Sequence, residues 1–314
     1  MQCNNGRQHW KEVAFVNSKT KILITGASGL LGRSLATRLV GSFKVTGTGF
    51  SQATKGQYPV DLRDADALKE LLNEVKPDVV VHGAAYRDPD FCEEHPEEAF
   101  RLNVAPTARF CELLPEFVPL LFVSSDYVFD GLAAPYREGD ERQPVNEYGR
   151  LKVQAEDFVL QRAAGLVLRI PLLIGAGPTW ESSGFLFKTL AQIQDPTPSM
   201  LDHAGIRFPT WTNDVAEAVV HLLGIEAQGI YHFSSLEGGT KYEWALELAD
   251  LAGLSMDHIT PNRAGSASVA LRPGDTQLLV ETIRQTGLSR FTSFREAARL
   301  VLQQFSVTGL PGMS

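Results

Sequence analysis

The chain has 314 residues, 44% hydrophobic and 21% charged, with a formal net charge of −8 and a sequence pI near 5.4. This is enough apolar surface for a full core, in one large α/β domain or in two unequal lobes, and the second is expected. The acidic balance disfavours a broad nucleic-acid or anionic-membrane surface, because counterion release needs clustered lysine and arginine. No stretch approaches about eighteen consecutive apolar residues, which excludes a spanning helix.

In chain order, residues 1–19 lack the apolar centre of a signal peptide and read as a flexible extension. Apolar runs at 21–25, 44–48, 78–81, 120–124 and 166–170 then alternate with helical periodicity at 30–40, 64–75, 96–114 and 146–163. Strands separated by helices imply crossover connections and a parallel sheet, a Rossmann-type doubly wound α/β fold. Pro77, lacking an amide donor, ends one of these helices, and Pro119 introduces the next strand. After Arg169-Ile-Pro171 the pattern loosens, and a smaller C-terminal substrate lobe is expected over 171–211 and 234–305. Residues 212–233 carry one helix and one strand and would return to the first domain, 20–170; residues 306–314 form a short tail. Cys3, Cys92 and Cys111 are an odd, sparse set without C-x-x-C spacing. They read as free thiols of a reducing compartment, hence a cytoplasmic protein with no disulfide framework or zinc knuckle.

Gly26, Gly29 and Gly32 fall at the first strand-to-helix turn, between the apolar run Lys21-Ile-Leu-Ile-Thr25 and the helical pattern from Leu30. Missing side chains there let backbone approach a pyrophosphate at a helix N-terminus, whose unpaired amides and dipole favour anions. About twenty residues on, an NAD site would carry an acid against the ribose 2′-hydroxyl. Residues 43–60 contain no Asp or Glu, and Ser51, Gln52, Thr54 and Lys55 stand there, which favours NADP(H). Asp61-Leu62 would flank the adenine, or Asp61 would cap the helix that follows. Gly83-Ala84-Ala85 would lie against the cofactor, or serve close strand–helix packing.

Tyr148-Gly-Arg-Leu-Lys152 puts a phenol and an ammonium one helical turn apart, after the serine pair Ser124-Ser125. A phenol with a pKa of about 10 needs roughly 4 kcal/mol of differential stabilisation to work near neutrality. One ammonium at about 4 Å supplies a similar amount at an effective dielectric near 20. Ser125, or else Ser124, ends a buried strand and would hydrogen-bond a substrate oxygen, with Tyr148 as proton donor and Lys152 as its cationic neighbour. The alternative is a serine pair ending a strand and a tyrosine on a half-buried helix face.

Glycine turn, Ser125, Tyr148 and Lys152 together resemble an extended short-chain dehydrogenase/reductase over nearly all of residues 20 to 300. The strings Ser124-Ser-Asp-Tyr-Val-Phe-Asp-Gly131, Pro135-Tyr-Arg-Glu138 and Asn146-Glu-Tyr-Gly149 are similar to two groups within it. These are the dTDP-4-dehydrorhamnose reductases, which reduce a nucleotide-linked 4-keto-6-deoxysugar with NADPH, and the regulatory β subunits of methionine adenosyltransferase, which bind NADP(H). The resemblance implies a nucleotide-sugar substrate in the first case and a methionine adenosyltransferase catalytic subunit as partner in the second. Ser28, Leu30, Leu31, Tyr86 and Asn103 join the implied cofactor contacts, and Asp126, Tyr127, Val128 and Arg272 the implied substrate contacts.

Asp126 is followed by Tyr127, where sugar-nucleotide dehydratases carry Glu, so reduction fits better than elimination. The stretch Tyr86-Arg-Asp-Pro-Asp90 departs from the reductases, and Leu201-Asp-His203, Arg207-Phe-Pro-Thr210 and Thr240-Lys-Tyr-Glu243 lie closer to the regulatory subunits. The extended basic and aromatic tail of those subunits has no counterpart in 306–314. Arg207 and Arg272 carry guanidinium forks suited to a diphosphate, and His203 is placed at the pocket wall. His82 and His221 read as structural, and neither they nor His203 form metal-ligand spacing with nearby acids or cysteines.

Overall fold

β1 (Lys21–Thr25), α1 (Leu30–Leu39), β2 (Lys44–Gly49) and β3 (Tyr58–Pro59) open the chain in the computed structural model, which describes residues 19–50, 56–265 and 268–306. There follow α2 (Ala65–Val75), β4 (Val79–His82), α3 (Pro89–Glu94), α4 (Pro96–Asn103), α5 (Ala105–Leu113) and β5 (Leu120–Ser125). After α6 (Glu147–Leu160) and β6 (Gly165–Ile170) the chain makes β7 (Leu173–Ile174), α7 (Phe185–Gln194), β8 (Ser199–Asp202) and β9 (Thr210–Trp211). It ends with α8 (Thr212–Gly224), β10 (Gly229–His232), α9 (Lys241–Ala252), β11 (Ile259–Asn262), α10 (Glu281–Gln285) and α11 (Phe294–Ser306).

Seven strands form one sheet in the order β10-β6-β5-β4-β1-β2-β3, every neighbouring pair parallel. The winding reverses between β1 and β4, so the crevice at their carboxyl ends is the switch point where such sheets bind ligands. Alternation along β1 serves both faces. Ile22 and Ile24 meet Leu31, Leu35, Val215 and Val219 on one side, while Leu23 meets Leu68, Phe110 and Val159 on the other. Each such side chain, fully buried, stabilises the fold by about 1.5–3 kcal/mol. β10 is the edge strand of this sheet, and α8 packs on it through Val215, Val219 and Leu222.

The second lobe has its own core, in which Leu186, Leu190, Trp244, Leu248, Phe294 and Val301 pack together beside the two-stranded pair β11–β8. Within the span 234–305, however, Val280 and Ile283 pack on the first core, so that segment serves both lobes. The helix expected over 96–114 is two helices, broken at Val104. Pro106 lies in the first turn of α5, where its missing N–H is harmless, whereas inside one continuous helix it would break the ladder. A further short helix, α3, starts on the Asp88 side chain, which accepts the Asp90 amide, with Pro89 in its first turn. Among the described residues, no helix is long and apolar enough to cross a membrane.

Candidate active site

The first strand ends on Gly26 at φ +70°, where an added Cβ would lie 3.0 Å from the Ala84 backbone. A Cβ on Gly32 would collide with the Gly26 carbonyl, so this glycine lets α1 fold back on its own turn. Gly29 is different: exposed, extended, with no side-chain cap on α1 and no acid in its first turn. The leading amides of α1 are thus open to an anion, and the turn fits a dinucleotide's pyrophosphate. Ser28 is half-buried beside it, and the Leu30 and Leu31 side chains are buried.

Thr25 ties β1 to the segment after β4. Its Oγ1 accepts the amides of Gly83 (3.1 Å) and Ala84 (3.2 Å) and lies 2.6 Å from His82 Nδ1. Having accepted twice, the hydroxyl gives its proton to Nδ1, which leaves the ring proton on Nε2. Burial, then the nearby Lys152, holds His82 at a pKa of about 3. Asn103 is buried and clamps Tyr86 from both sides, Oδ1 accepting its amide (2.8 Å) and Nδ2 donating to its carbonyl (2.9 Å). Asn103 therefore shapes the backbone over 83–86, alongside half-buried Ala84 and Ala85.

The two roles weighed for Asp61 are resolved in part. Asp64 is the cap of α2, accepting the amides of Asp66 and Ala67, and Asp61 instead grips Arg63 through Nη2 at 2.8 Å. That hydrogen bond holds the Asp61 carboxyl below its usual range. Arg63 also reaches the Tyr86 hydroxyl (3.1 Å) and Glu98 (3.3 Å) and lies over the Phe50 ring. Leu62 is buried in the core. Ser51, Gln52, Thr54 and Lys55 lie outside the described residues.

At the carboxyl end of β5 the backbone turns through a short 3-10 helix, Asp126–Val128, opposite α6. Asn146 caps α6 by accepting the Gly149 amide at 2.9 Å, and a Cβ on Gly149 would strike the Tyr127 carbonyl. The absent side chain brings Tyr148 up to the strand end. Ser125 Oγ donates to Asp126 Oδ1 at 3.0 Å and lies close enough to the Tyr148 phenol to lower its pKa. Lys152 Nζ donates to the Val123 carbonyl at 2.9 Å and sits 5.8 Å from the Tyr148 ring centre. Ser125, Tyr148 and Lys152 thus converge. Ser124 does not join them, since its hydroxyl donates to Glu156 at 2.5 Å.

Burial raises the Tyr148 pKa, opposed by the nearby Ser125 hydroxyl, and lowers that of Lys152 to about 8, opposed by Glu156. Burial also pushes the Asp126 carboxyl up, opposed first by Thr276, whose Oγ1 donates to Oδ2 at 2.5 Å. The residues expected around the substrate divide into two kinds. Tyr127 faces Tyr148 edge-on at 5.9 Å between ring centres, with Arg207 and Arg272 within electrostatic reach. Val128 instead packs with Phe129, Tyr136 and Leu278 in a small core. Arg207 is buried and its Nη1 donates to the carbonyls of Ile206, Pro273 and Gly274, which ties these loops together. Arg272 pairs with Asp90 at 3.0 Å, and His203 Nδ1 lies 2.8 Å from Thr240 Oγ1. His221 Nε2 lies 2.8 Å from Thr286 Oγ1.

Comparison with known proteins places this geometry. The profile of the RmlD substrate binding domain matches residues 20–307. The chain belongs to that family. Methionine adenosyltransferase 2 subunit beta of Xenopus tropicalis is 37% identical over 296 residues, 91% of this chain and 88% of that protein. A probable low-salt glycan biosynthesis reductase, Agl14 of Haloferax volcanii, is 34% identical over 243 residues, 73% of this chain and 79% of the relative. Among solved structures, a dTDP-4-dehydrorhamnose reductase from Clostridium acetobutylicum superposes with a TM-score of 0.80 at 26% identity, covering 91% of this chain and all of that one. One from Bacillus anthracis, solved in complex with NADP, shares the fold with a TM-score of 0.80 at 21% identity, covering 91% and 99%. The fold is that of the extended short-chain dehydrogenase/reductases, as the motifs implied, and the family relates the chain to their reductases.

Several groups of this family member escaped the sequence reading. Arg63 carries a signal of a kind, as an arginine two residues after Asp61. Thr276, 150 residues from its partner Asp126, carries none. Nor does Glu156, which faces Ser124 and Arg169 in the interior.

Proposed function

We propose that the protein is an NADP(H)-dependent reductase of a nucleotide-linked 4-keto-6-deoxysugar, of the dTDP-4-dehydrorhamnose reductase type. The observation that carries this reading is the convergence of Ser125, Tyr148 and Lys152 beside the switch point, next to an uncapped glycine turn. The backbone of Gly26, Ser28, Gly29 and Gly32, with Asp61 and Gly83–Ala85, would hold NADPH, whose nicotinamide supplies a hydride to the keto carbon when bound.

Ser125 Oγ holds the substrate oxygen in line with the phenol. Tyr148 passes its hydroxyl proton to that oxygen as the carbonyl becomes an alcohol. The raised pKa suits this direction, because a buried phenol keeps its proton until an acceptor with developing negative charge is in reach. Lys152, 5.8 Å from the ring centre, then stabilises the phenolate left behind, and one charge at that distance is worth about 3 kcal/mol at an effective dielectric near 20. Asp126, held by Thr276, with Tyr127, His203 and Arg272, forms the substrate side of the pocket, and Arg207 fixes its loops. With Tyr127 after Asp126 there is no second carboxylate to drive elimination.

The test is to mix the protein with NADPH and dTDP-4-dehydrorhamnose and follow the absorbance of the reduced nicotinamide. Stoichiometric loss supports the reading; no oxidation with this or any other keto-sugar nucleotide ends it. A second reading rests on the 37% identity to the methionine adenosyltransferase subunit, above the 26% to a solved reductase. It makes the protein an NADP-binding regulatory subunit that acts through contact with a catalytic subunit. Co-purification with a methionine adenosyltransferase at fixed stoichiometry, without NADPH oxidation, selects it. Both readings set the protein in the cytoplasm, where Cys92 and Cys111 stay as the free thiols they are here.

A further inference from the structure

A cleft of about 490 Å³ opens beside the glycine turn, between the outer face of α1 and the second lobe. Its walls include Ala27, Arg33, Gln57, Trp211, Asn213 and Val301, and Arg33 is the single charged residue among all the described residues that line it. One end of the cleft lies at the carboxyl end of β2. The Ala27 amide donates to the Thr48 carbonyl at 2.9 Å, and both Ala27 and Gln57 border the space above Gly47. In a sheet of this winding, the adenosine ribose of a dinucleotide sits at that strand end.

Arg33 follows Gly32 in the first turns of α1, its amide bonded to the Gly29 carbonyl. Its guanidinium has no hydrogen-bond or ion-pair partner among the described residues. The other arginines nearby are occupied: Arg38 by Glu217, and Arg63 by Asp61, Tyr86 and Glu98. A planar cation in a concave, acid-free site, next to uncapped helix amides, favours a phosphate, which its fork can bind in bidentate fashion. The pyrophosphate belongs to the amides, so the anion left for Arg33 is the one on the ribose.

We infer that Arg33 binds the adenosine 2′-phosphate and sets the preference for NADP(H) over NAD(H). The inference rests on the coenzyme reading above and moves the selectivity from residues 51–55 to the glycine turn itself. Calorimetric titration with NADPH, NADH and 2′,5′-ADP tests it on the full chain. Arg33→Leu weakens NADPH and 2′,5′-ADP by about 10- to 100-fold, the worth of charge-assisted hydrogen bonds, and leaves NADH within about twofold. Arg33→Lys, which keeps the charge and the fold, falls between the two. Equal weakening of NADPH and NADH, no weakening of either, or loss of selectivity on Arg63→Leu in place of Arg33→Leu overturns the assignment. A wild-type protein that binds NADH and NADPH alike overturns it while the coenzyme reading stands; one that binds neither overturns both.

Discussion

Glu156 and Arg169 form a doubly hydrogen-bonded ion pair sealed from water. Arg169 Nη2 lies 2.8 Å from Oε2 and Nε 2.9 Å from Oε1, with side chains 1% and 0% exposed. Ser124 and Arg142 fill the remaining carboxylate positions, and the Glu138 carbonyl accepts from Arg169 Nη1. The pair bolts α6, which carries Tyr148 and Lys152, to β6, next to the strand that ends in Ser125. Arg169→Met leaves a buried carboxylate short of its main partner and is expected to destabilise the protein by about 3–5 kcal/mol in urea denaturation. The double change Glu156→Leu with Arg169→Met should lose much less than the sum of the singles. Additive losses would show that the pair is not coupled.

Tyr148→Phe removes the transferable proton and little volume. Turnover on a keto-sugar nucleotide is expected to fall by about 10²–10⁴, the usual worth of a positioned general acid. NADPH affinity, measured by titration, should hold within a few-fold. Ser125→Ala should lower turnover less steeply, since it loosens the carbonyl without removing the acid. Undiminished turnover in Tyr148→Phe would remove the phenol from the chemistry.

The pKa of Lys152, lowered to about 8 by burial, places a pH limit within easy reach. Below that value the ammonium is present; above it the charge is lost, and with it the stabilisation of a Tyr148 phenolate. For the free enzyme, kcat/KM should therefore fall above about pH 8 with the slope of one proton. Glu156 acts to raise this pKa, so Glu156→Gln should move the break to lower pH, whereas Lys152→Arg should abolish it. A profile flat to pH 10 in the wild type would contradict the assignment.

Two buried histidines predict acid sensitivity. His82 and His232 both have pKa values lowered to about 3, first by burial and then by Lys152 and Arg169 respectively. Unfolded, each would titrate near 6.5. Between those values the unfolded chain binds protons that the folded chain does not, so stability is full above about pH 6.5 and is lost as pH falls toward 3. Each histidine contributes a slope of up to about 1.4 kcal/mol per pH unit in that window. Protonating His82 also sets Nδ1–H against the proton that Thr25 donates, loosening the tie between β1 and Gly83-Ala84. Urea midpoints at pH 7 and pH 5 should diverge, and less so in His82→Leu. Equal midpoints in the wild type would argue that these rings charge freely.

The central strands were legible because each is a short apolar run bounded by turn residues, and β1 falls on the run read from sequence. The cap at Asn146 and the Tyr148–Lys152 spacing likewise lie within one helix, where periodicity suffices. What could not be read is set by distant pairing. Nothing near Ser124 in sequence shows that its hydroxyl belongs to Glu156 and so frees Ser125 alone for the site. Arg207, expected as an anion ligand for its fork, commits Nη1 to backbone carbonyls, and only the packing of residues 273–274 against it brings this about. The break at Val104 was legible in principle, since Pro106 forbids one unbroken helix.

Residues 268–276 reach across from the second lobe and are moored to the first at three points. Asp90 holds Ala270 and Arg272, Asn146 holds the Leu271 carbonyl, and Asp126 holds Thr276. Each mooring stands a few positions from a residue of the reaction or coenzyme set: Tyr86, Tyr148 and Ser125. The rim that screens cargo and the groups that would transform it thus share anchors. On the reductase reading, lengthening or redrawing this strap to admit a bulkier substrate would detune the chemistry along with the fit, so new selectivity would have to arrive with compensating changes at Asp90, Asp126 or Asn146.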